Sequence, residues 1–281
     1  MHRANWALPW HQGHVLKQAA RRPRVAEFSP TSRNSATTDY VSIAIAYAEE
    51  AIEDRNGIWT GQLLRWACQR FLRDLRRSLG NRPPFTFSPS WANRSCAFIE
   101  GLPHVEGTWA TDTIVLEPAQ IFFVVQLFGF RNKNVGRRFS SALYATARKN
   151  AKSTLAAAIL LVCLCLEREN GAQVLSAATT GSQARIVWKI AKEMVLRTEE
   201  LRANFDLEAF ANYVARYETG ATFKPINAKA STQDGLNPSH TNLDEIHAHK
   251  THDLLNVLTS AAGARDNPLW LYTTTEGYEN A

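Results

Sequence analysis

Apolar residues in the first third of the chain recur at the spacing of one helix face. Between Tyr40 and Leu79 they form two stripes, broken at Gly57. The stripes consist of Val41, Ala44, Tyr47, Ala48, Ala51 and Ile52, and then of Leu63, Leu64, Ala67, Phe71 and Leu75. Ser88-Pro89 has the form of an N-cap followed by proline at the first helical position, which predicts a third helix through Ile99. These patterns predict an N-terminal helical segment over residues 39–105 that packs on the rest of the chain.

Beyond residue 105 the pattern alternates between short apolar strands and longer helical runs. The predicted strands are Arg138–Ala145, Ala172–Ala178, Ala221–Asn227 and Leu269–Tyr272, with a further short strand ending at Asp244-Glu245. Helices are predicted from Leu155 to Leu166 and from the turn at Thr179 to about Leu196. This alternation is typical of an α/β domain with a largely parallel central sheet flanked by helices, here over residues 106–281.

Four polar stretches each follow a predicted strand. They are the loop Thr146–Thr154, Thr179-Thr180, Asp244-Glu245 and Thr273–Thr275. In open α/β sheets, ligands bind at the carboxyl ends of the strands. The sequence therefore predicts that the four stretches meet at one edge of the sheet.

The first of these stretches has the context of a phosphate-binding loop, with a strand before it and a buried helix after it. Such a loop ends in lysine and serine or threonine, and two glycines let its backbone approach phosphate closely. Lys152 would reach the β- and γ-phosphates, and the Ser153 hydroxyl would hold Mg²⁺. Thr146 and Ala151 stand at the glycine positions, so the stretch alone also fits an ordinary strand-to-helix turn. The candidate phosphate-binding residues are Thr146, Ala147, Arg148, Lys149, Asn150, Ala151, Lys152, Ser153 and Thr154.

Two other stretches could complete a nucleotide site. Asp244 and Glu245 end a short strand, where the first acid would order the Mg²⁺ shell and the second would activate the attacking water. Two acids beginning a helix are the ordinary alternative. Upstream of the loop, Gln120 opens an apolar helical run, and its amide could contact both hydrogen-bonding edges of adenine. An exposed glutamine early in a helix is the alternative there.

Composition and charge narrow the setting without identifying a substrate. The 281 residues are 45% hydrophobic and 21% charged, which is typical of a globular protein with a real core. A net charge of +6 is compatible with a nucleic-acid partner, but many basic proteins bind none. Residues 1–38, with the cluster Arg21-Arg22-Pro23-Arg24, have the composition of a flexible basic tail. The most apolar run, Leu155 to Leu166, is too short to span a bilayer.

The spacing of the cysteines and histidines in the sequence does not predict a metal site. The cysteines are Cys68, Cys96, Cys163 and Cys165. They contain no C-x-x-C pair, so we expect free core thiols in a reducing compartment. His247, His249 and His252 have no paired cysteine beside them, and residues two apart on a helix do not face one another. We therefore interpret these histidines as polar residues at the start of a helix.

Six segments of the chain occur in a characteristic order and spacing. They are YAEEAIEDRNGIWTGQLLRWACQRFLRDL, LEPAQIFFVVQLFGF, ATARKNAKST, AATTGSQARIVW, NAKASTQDGLNPSHTNLDEIHAHK and GARDNPLWLYTTTEG. Together, from about Tyr40 to the end, they resemble the ATPase portion of the large terminase subunit of tailed bacteriophages. The resemblance implies a P-loop NTPase of the additional-strand catalytic-glutamate type, with ATP and Mg²⁺ as cofactors.

The resemblance also implies roles in nucleotide binding. Gln120 matches the residue that contacts adenine. Lys152 and Ser153 match the phosphate and Mg²⁺ ligands. Asp244 and Glu245 match the metal-organising acid and the catalytic base.

Three further positions match residues that act on the transition state or on movement. Arg148 matches a basic residue proposed as an arginine finger within the same subunit. Thr273, Thr274 and Thr275 match the motif that couples hydrolysis to movement. Arg265 falls where some family members place an arginine that acts on the neighbouring subunit.

At the level of the assembly, the resemblance implies a motor that translocates double-stranded DNA into a procapsid in the host cytoplasm. The expected partners are the DNA, the portal protein, the small terminase subunit and further copies of the chain in a ring, without a membrane. Family members normally continue into a nuclease domain, which we expect to be absent here together with DNA cleavage. Another P-loop translocase or helicase and a catalytically weak prophage remnant remain as alternatives.

Overall fold

The computed structural model describes residues 38–54, 57, 59–107, 112–132, 136–227, 236–248, 253–261, 263 and 265–275. The predicted tail, apart from Thr38, lies outside the described residues, as do His249 and His252. No helix within the described ranges has the length and apolar character needed to cross a membrane.

Four helices precede the main sheet. The sequence predicted the first two from periodicity, the third from its N-cap and the fourth as an apolar helical run. They are α1 Tyr40–Glu53, α2 Gln62–Ser78, α3 Pro89–Glu100 and α4 Pro118–Gly129. The Ser88 hydroxyl accepts a hydrogen bond from the Trp91 N–H, which confirms the N-cap of α3. At α4, Glu117 and Gln120 form a capping box, in which Gln120 Oε1 accepts from the Glu117 N–H at 3.0 Å.

The strands form two sheets. A small antiparallel sheet contains β1 Thr86–Phe87, β2 Phe130–Asn132 and β3 Gly136–Arg137. The main sheet contains β4 Ser141–Thr146, β5 Gln173–Ala178, β6 Leu207–Ala209, β7 Val214–Arg216, β8 Ala221–Asn227, β9 Pro238–Asp244 and β10 Leu269–Thr275. Its order is β4-β10-β9-β5-β8-β7-β6. The first five strands are parallel and the last two antiparallel, so the predicted α/β architecture with a largely parallel sheet is confirmed.

The remaining helices cover the two faces of this sheet. They are α5 Lys152–Leu166, α6 Gly181–Arg197, α7 Glu199–Phe205 and α8 Asp253–Ala261. Because α5 is apolar on every side from Leu155 to Leu166, it is buried between the sheet and its neighbours α3 and α6. One core runs continuously from α1 to β10 through α5, and a smaller cluster lies under α8 on the other face.

Two strand boundaries differ from the sequence prediction. β4 begins at Ser141 rather than Arg138, because Arg138 is held by α2: its guanidinium donates to Asp74 Oδ2 at 2.7 Å and lies 3.6 Å from the Phe85 ring centre. β10 continues to Thr275 rather than ending at Tyr272, since threonine is β-branched and suits a strand. The three threonines of the predicted coupling motif therefore lie within β10 and do not follow it.

Candidate functional site

Residues 147–151 connect the end of β4 to the first residue of α5. Two of them have left-handed backbone conformations, Lys149 with φ 68° and Ala151 with φ 52°. A residue with a Cβ in that region loses about 1–2 kcal/mol relative to right-handed backbone, which glycine would avoid. Ala151 therefore takes a backbone shape that favours glycine, and the Asn150 side chain braces the turn by donating to the Ala147 carbonyl at 3.2 Å. The unpaired N–H groups of the first turn of α5 then face the end of this loop.

Lys152 lies between Asp244, the last residue of β9, and Glu245, which follows it. Its ammonium donates to Asp244 Oδ1 at 2.6 Å and to Glu245 Oε1 at 2.7 Å. The lysine is 8% exposed, so these pairs form away from bulk water. Two carboxylates and one ammonium together have a formal charge of −1. The two hydrogen bonds bring the loop to the acid pair, as the sequence predicted.

The threonines of β10 hold the same two acids. Thr273 Oγ1 donates to Asp244 Oδ1 at 2.8 Å, and Thr275 Oγ1 donates to Glu245 Oε2 at 3.3 Å. This follows from the strand order, since β10 pairs with β4 on one side, where Thr275 faces Thr146, and with β9 on the other. The predicted coupling motif is therefore in direct contact with the predicted metal-organising acid and catalytic base.

Glu245 combines a strained backbone with a perturbed carboxyl group. Its φ is 50°, in the left-handed region. Burial acts to raise the pKa of this carboxyl, but the hydrogen bond and charge of Lys152 outweigh it, with help from Thr275 and His247, and the net pKa is lowered. Glu245 is consequently ionised at neutral pH and available as a proton acceptor.

A cavity of about 920 Å³ opens between the loop and the start of α4. It is lined on one side by Thr146, Lys149, Asn150, Ala151 and Thr154, and on the other by Gln120, Leu116 and Tyr144, among others. Burial raises the pKa of Tyr144, and its hydrogen bond with the Gln120 side chain acts in the opposite direction. The predicted adenine-contacting residue and the predicted phosphate loop thus share one cavity.

The two candidate arginines have different surroundings. Arg148 is exposed on the loop, and within the described part of the chain it forms no hydrogen bond or ion pair. Arg265 lies at the opposite edge of the sheet, where the parallel strands begin. Its guanidinium donates to Glu169 Oε1 at 2.9 Å, to the Gly171 carbonyl at 2.8 Å and to Asn237 Oδ1 at 3.0 Å. The structure therefore does not bring Arg265 to the loop of its own chain.

Two residues near the acids were missed by sequence reasoning. Asn242 is buried in β9 and donates to Thr273 Oγ1 at 2.9 Å. His247 lies on the 3₁₀ turn Ile246–Ala248, not at the start of an α-helix, with Nδ1 2.7 Å from Thr274 Oγ1. A polar residue inside an otherwise buried strand could have indicated Asn242, whereas nothing in the local pattern indicated the His247 contact.

The donor set at the carboxyl edge fits Mg²⁺. Hydroxyl and carboxylate oxygens are its preferred protein ligands, and the acid pair carries excess negative charge. Among the described residues, a cysteine, a glutamate and a histidine also lie close enough together to hold a metal ion, but at a different place: Cys163, Glu167 and His240. There the Glu167 carboxylate is already paired with Arg137 and with Arg131, so its charge is met without a metal.

Similar proteins fall in one family. A family model described as the terminase large subunit ATPase domain matches residues 118–281. The large terminase subunit of Enterobacteria phage HK97 is 29% identical over 192 residues, which are 67% of this chain and 37% of that protein. The chain thus spans well under half the length of this curated relative.

Solved structures of large terminases are also similar to the chain. The crystal structure of the HK97 bacteriophage large terminase aligns with a TM-score of 0.56 and 28% identity over 65% of this chain and 37% of that one. The ATPase domain of the large terminase from Thermus phage P74-26 has a TM-score of 0.41 and 20% identity over 59% of this chain and 72% of that one. With a family match that takes in more than half of its residues, this P-loop NTPase belongs to the terminase large subunit ATPase domain family.

Proposed function

We propose that the chain binds ATP with Mg²⁺, hydrolyses the ATP and uses the free energy to move double-stranded DNA into a procapsid. The observation that carries the proposal is Lys152 bonded to both Asp244 and Glu245 at the carboxyl edge of the sheet. A lysine at a helix N-terminus, beside an acid pair and an open cavity, is the arrangement that phosphoryl transfer requires.

Nucleotide binding in this proposal exchanges one set of ionic partners for another. Lys152 leaves its carboxylates for the β- and γ-phosphates, and the N–H groups at the start of α5 face the same phosphates. Ser153 and Asp244 would hold Mg²⁺, which neutralises charge on the phosphates. The Gln120 amide and the cavity next to the loop receive the adenine.

Hydrolysis then depends on two side chains with different roles in the same step. Glu245 accepts a proton from a water molecule as the water oxygen bonds to the γ-phosphorus, and the bond from that phosphorus to the bridging oxygen breaks. Arg148, exposed and unpaired within the described residues, reaches the developing charge. Thr273, Thr274 and Thr275 transmit the change, because their strand lies between the loop strand and the acid strand.

The wider setting is part of the same proposal. We assign the portal protein, the small terminase subunit and further copies of the chain in a ring as partners, and the host cytoplasm as the location. Residues 39–105 would form a helical segment on the ATPase domain at 106–281. The expectation that these residues do not cut DNA stays a prediction, tested by incubating plasmid with the chain and Mg²⁺ or Mn²⁺.

A catalytically weak form of the same motor is the second candidate. Ala151 favours it, because this residue lines the nucleotide cavity in a left-handed backbone conformation. Its Cβ therefore stands where glycine would leave room for phosphate. Measured turnover of the purified chain, with and without DNA and Mg²⁺, separates an active motor from a weak one.

We expect Glu245→Gln to retain ATP binding and to lower turnover by about 10²–10⁴-fold, because an amide cannot take the proton from water. The measurements are the affinity for ATP and the steady-state rate of phosphate release with DNA present. Glu193→Gln is the matched control, since Glu193 is half-exposed on α6 and far from the acids along the chain. Turnover near the wild-type rate in Glu245→Gln would remove Glu245 from the role of base.

A further inference from the structure

His247 links the candidate base to the strand that carries the coupling motif. Its Nδ1 lies 2.7 Å from Thr274 Oγ1 and 3.4 Å from Glu245 Oε2. The left-handed backbone at Glu245 turns the chain out of β9, and the 3₁₀ turn that follows returns His247 to the end of β10. A contact between residues 27 positions apart thus joins two neighbouring strands where both end.

The two oxygens of Glu245 have separate partners. Oε1 accepts from Lys152 at 2.7 Å, whereas Oε2 faces Thr275 Oγ1 at 3.3 Å and His247 Nδ1 at 3.4 Å. When Lys152 transfers to phosphate, Oε1 loses its partner and Oε2 keeps both of its own. One oxygen is then free to act on water while the other is held.

We propose that His247 is a positioning residue for Glu245. Its Nδ1–H is shared between Thr274 Oγ1 and Glu245 Oε2, and together with Thr275 it fixes Oε2, so that Oε1 is the oxygen that takes the proton from water. Because His247 is also bonded to Thr274, a shift of β10 moves the base relative to the phosphates. The inference rests on the proposed function and adds to it a residue through which the coupling strand sets the rate of hydrolysis.

The geometry dictates which substitutions test this role. His247→Asn keeps a polar atom bonded to Cγ, at the place of Nδ1, and removes the ring. His247→Phe keeps a ring of similar size and removes the nitrogen. The His247 side chain is 55% exposed, so neither change should unfold the chain. Thr274→Val removes the hydroxyl from the other side of the contact and keeps a β-branched residue in the strand.

With DNA and Mg²⁺ present, we expect His247→Phe to lower kcat by about 10- to 100-fold, as expected when a catalytic group is misplaced, with KM for ATP changed by less than about twofold. His247→Asn should retain most of the kcat, and Thr274→Val should fall with His247→Phe. Thermal unfolding of each variant establishes that the chain is folded. A purely structural role would lower kcat equally in the Asn and Phe variants and does not predict this rescue.

Each other result counts against the inference in a recognisable way. Wild-type kcat in His247→Phe, or in Thr274→Val if His247→Phe is unfolded, overturns it. So does an equal loss in the Asn and Phe variants, or a raised KM with unchanged kcat. Absence of turnover in the wild-type chain would overturn the proposed function and this inference together, whereas an active wild type with an active His247→Phe overturns the inference alone.

Discussion

At the residue scale, two adjacent cations on the loop between β4 and α5 differ in what they face. Both are exposed, but Lys149 lines the cavity shared with Gln120 and Arg148 does not. If the cavity receives nucleotide as proposed, Lys149 is placed to contact it in its ground state. In the same proposal Arg148 has to move to reach the γ-phosphate, as expected of a group that acts on the transition state.

We expect Arg148→Ala to lower ATP turnover by about 10³-fold or more with little change in ATP affinity, since arginine fingers contribute on that scale. Lys149→Ala should weaken ATP binding several-fold and leave kcat close to wild type. Steady-state rates with DNA, together with ATP titration of each variant, measure both effects. Comparable mild effects in the two variants would identify both side chains as solvated charges on a turn.

Sequence reasoning anticipated which residues meet in space where their position follows from a strand end, and their roles stay a prediction. Lys152 follows the loop after one predicted strand, and Asp244 and Glu245 stand at the end of another. Because the carboxyl ends of parallel strands lie at the same edge of a sheet, the three residues were expected to be close together. His247 and Asn242 escaped because their partners are 27 and 31 positions away and depend on the strand order. Ala151 shows a further limit, since its left-handed backbone is imposed by the loop and not by the preference of alanine.

At the element scale, β10 is the strand that organises the site. It is parallel to β4 and β9 and lies between them, so its carboxyl end is paired with the strand before the loop and lies beside the strand that ends in Asp244. The sequence indicated its apolar first half alone, because Thr273, Thr274 and Thr275 are polar. In the structure these hydroxyls are bonded to Asp244, His247 and Glu245, which offsets the burial of polar groups at the strand end.

A second polar network ties the opposite ends of the same elements together. Glu167, at the end of α5, is bonded to the Arg137 guanidinium, to Asn267 at 3.2 Å and to His240 Nε2 at 3.0 Å. Burial, followed by the charge of Arg137, lowers the pKa of His240 well below its usual value. The imidazole is therefore neutral in the folded chain, with Nε2–H donating to the carboxylate.

This network predicts a pH dependence of stability with a definite sign. Because the unfolded state binds a proton at His240 more readily than the folded state, stability is lost as pH falls below about 6.5. Between pH 7.5 and 5.5 we expect the free energy of unfolding to fall by about 1.4 kcal/mol from this group. Urea unfolding at the two pH values measures the fall, and His240→Gln should remove it. Carboxyls with lowered pKa, such as Glu245, act below about pH 4.5 and do not confuse the comparison.

At the scale of the whole molecule, the carboxyl ends and the amino ends of the parallel strands have different roles. The carboxyl edge gathers the loop, the acids and the β10 threonines. At the amino edge, Arg265 lies in the segment that leads into β10. Its guanidinium donates to Gly171, before β5, and to Asn237, before β9, and so links the segments that enter three strands. Its side chain is 12% exposed, and all three guanidinium nitrogens donate hydrogen bonds. A residue held in this way stabilises the amino edge, and it would have to break four or more hydrogen bonds to act on a neighbouring subunit.

We therefore expect Arg265→Ala to lower the free energy of unfolding by about 1–3 kcal/mol, because it leaves the half-buried Glu169 carboxylate and the Gly171 and Asn237 carbonyls without their donor. Arg265→Lys should recover little of this, since one ammonium cannot replace a planar fork with three engaged nitrogens. Mixing Arg265→Ala with Glu245→Gln chains tests the alternative role. An arginine that acts across the ring would let the two inactive chains restore turnover together, because each supplies what the other lacks. Destabilisation of the isolated chain without such restoration identifies Arg265 as the residue that holds the amino edge, and leaves Arg148 as the finger.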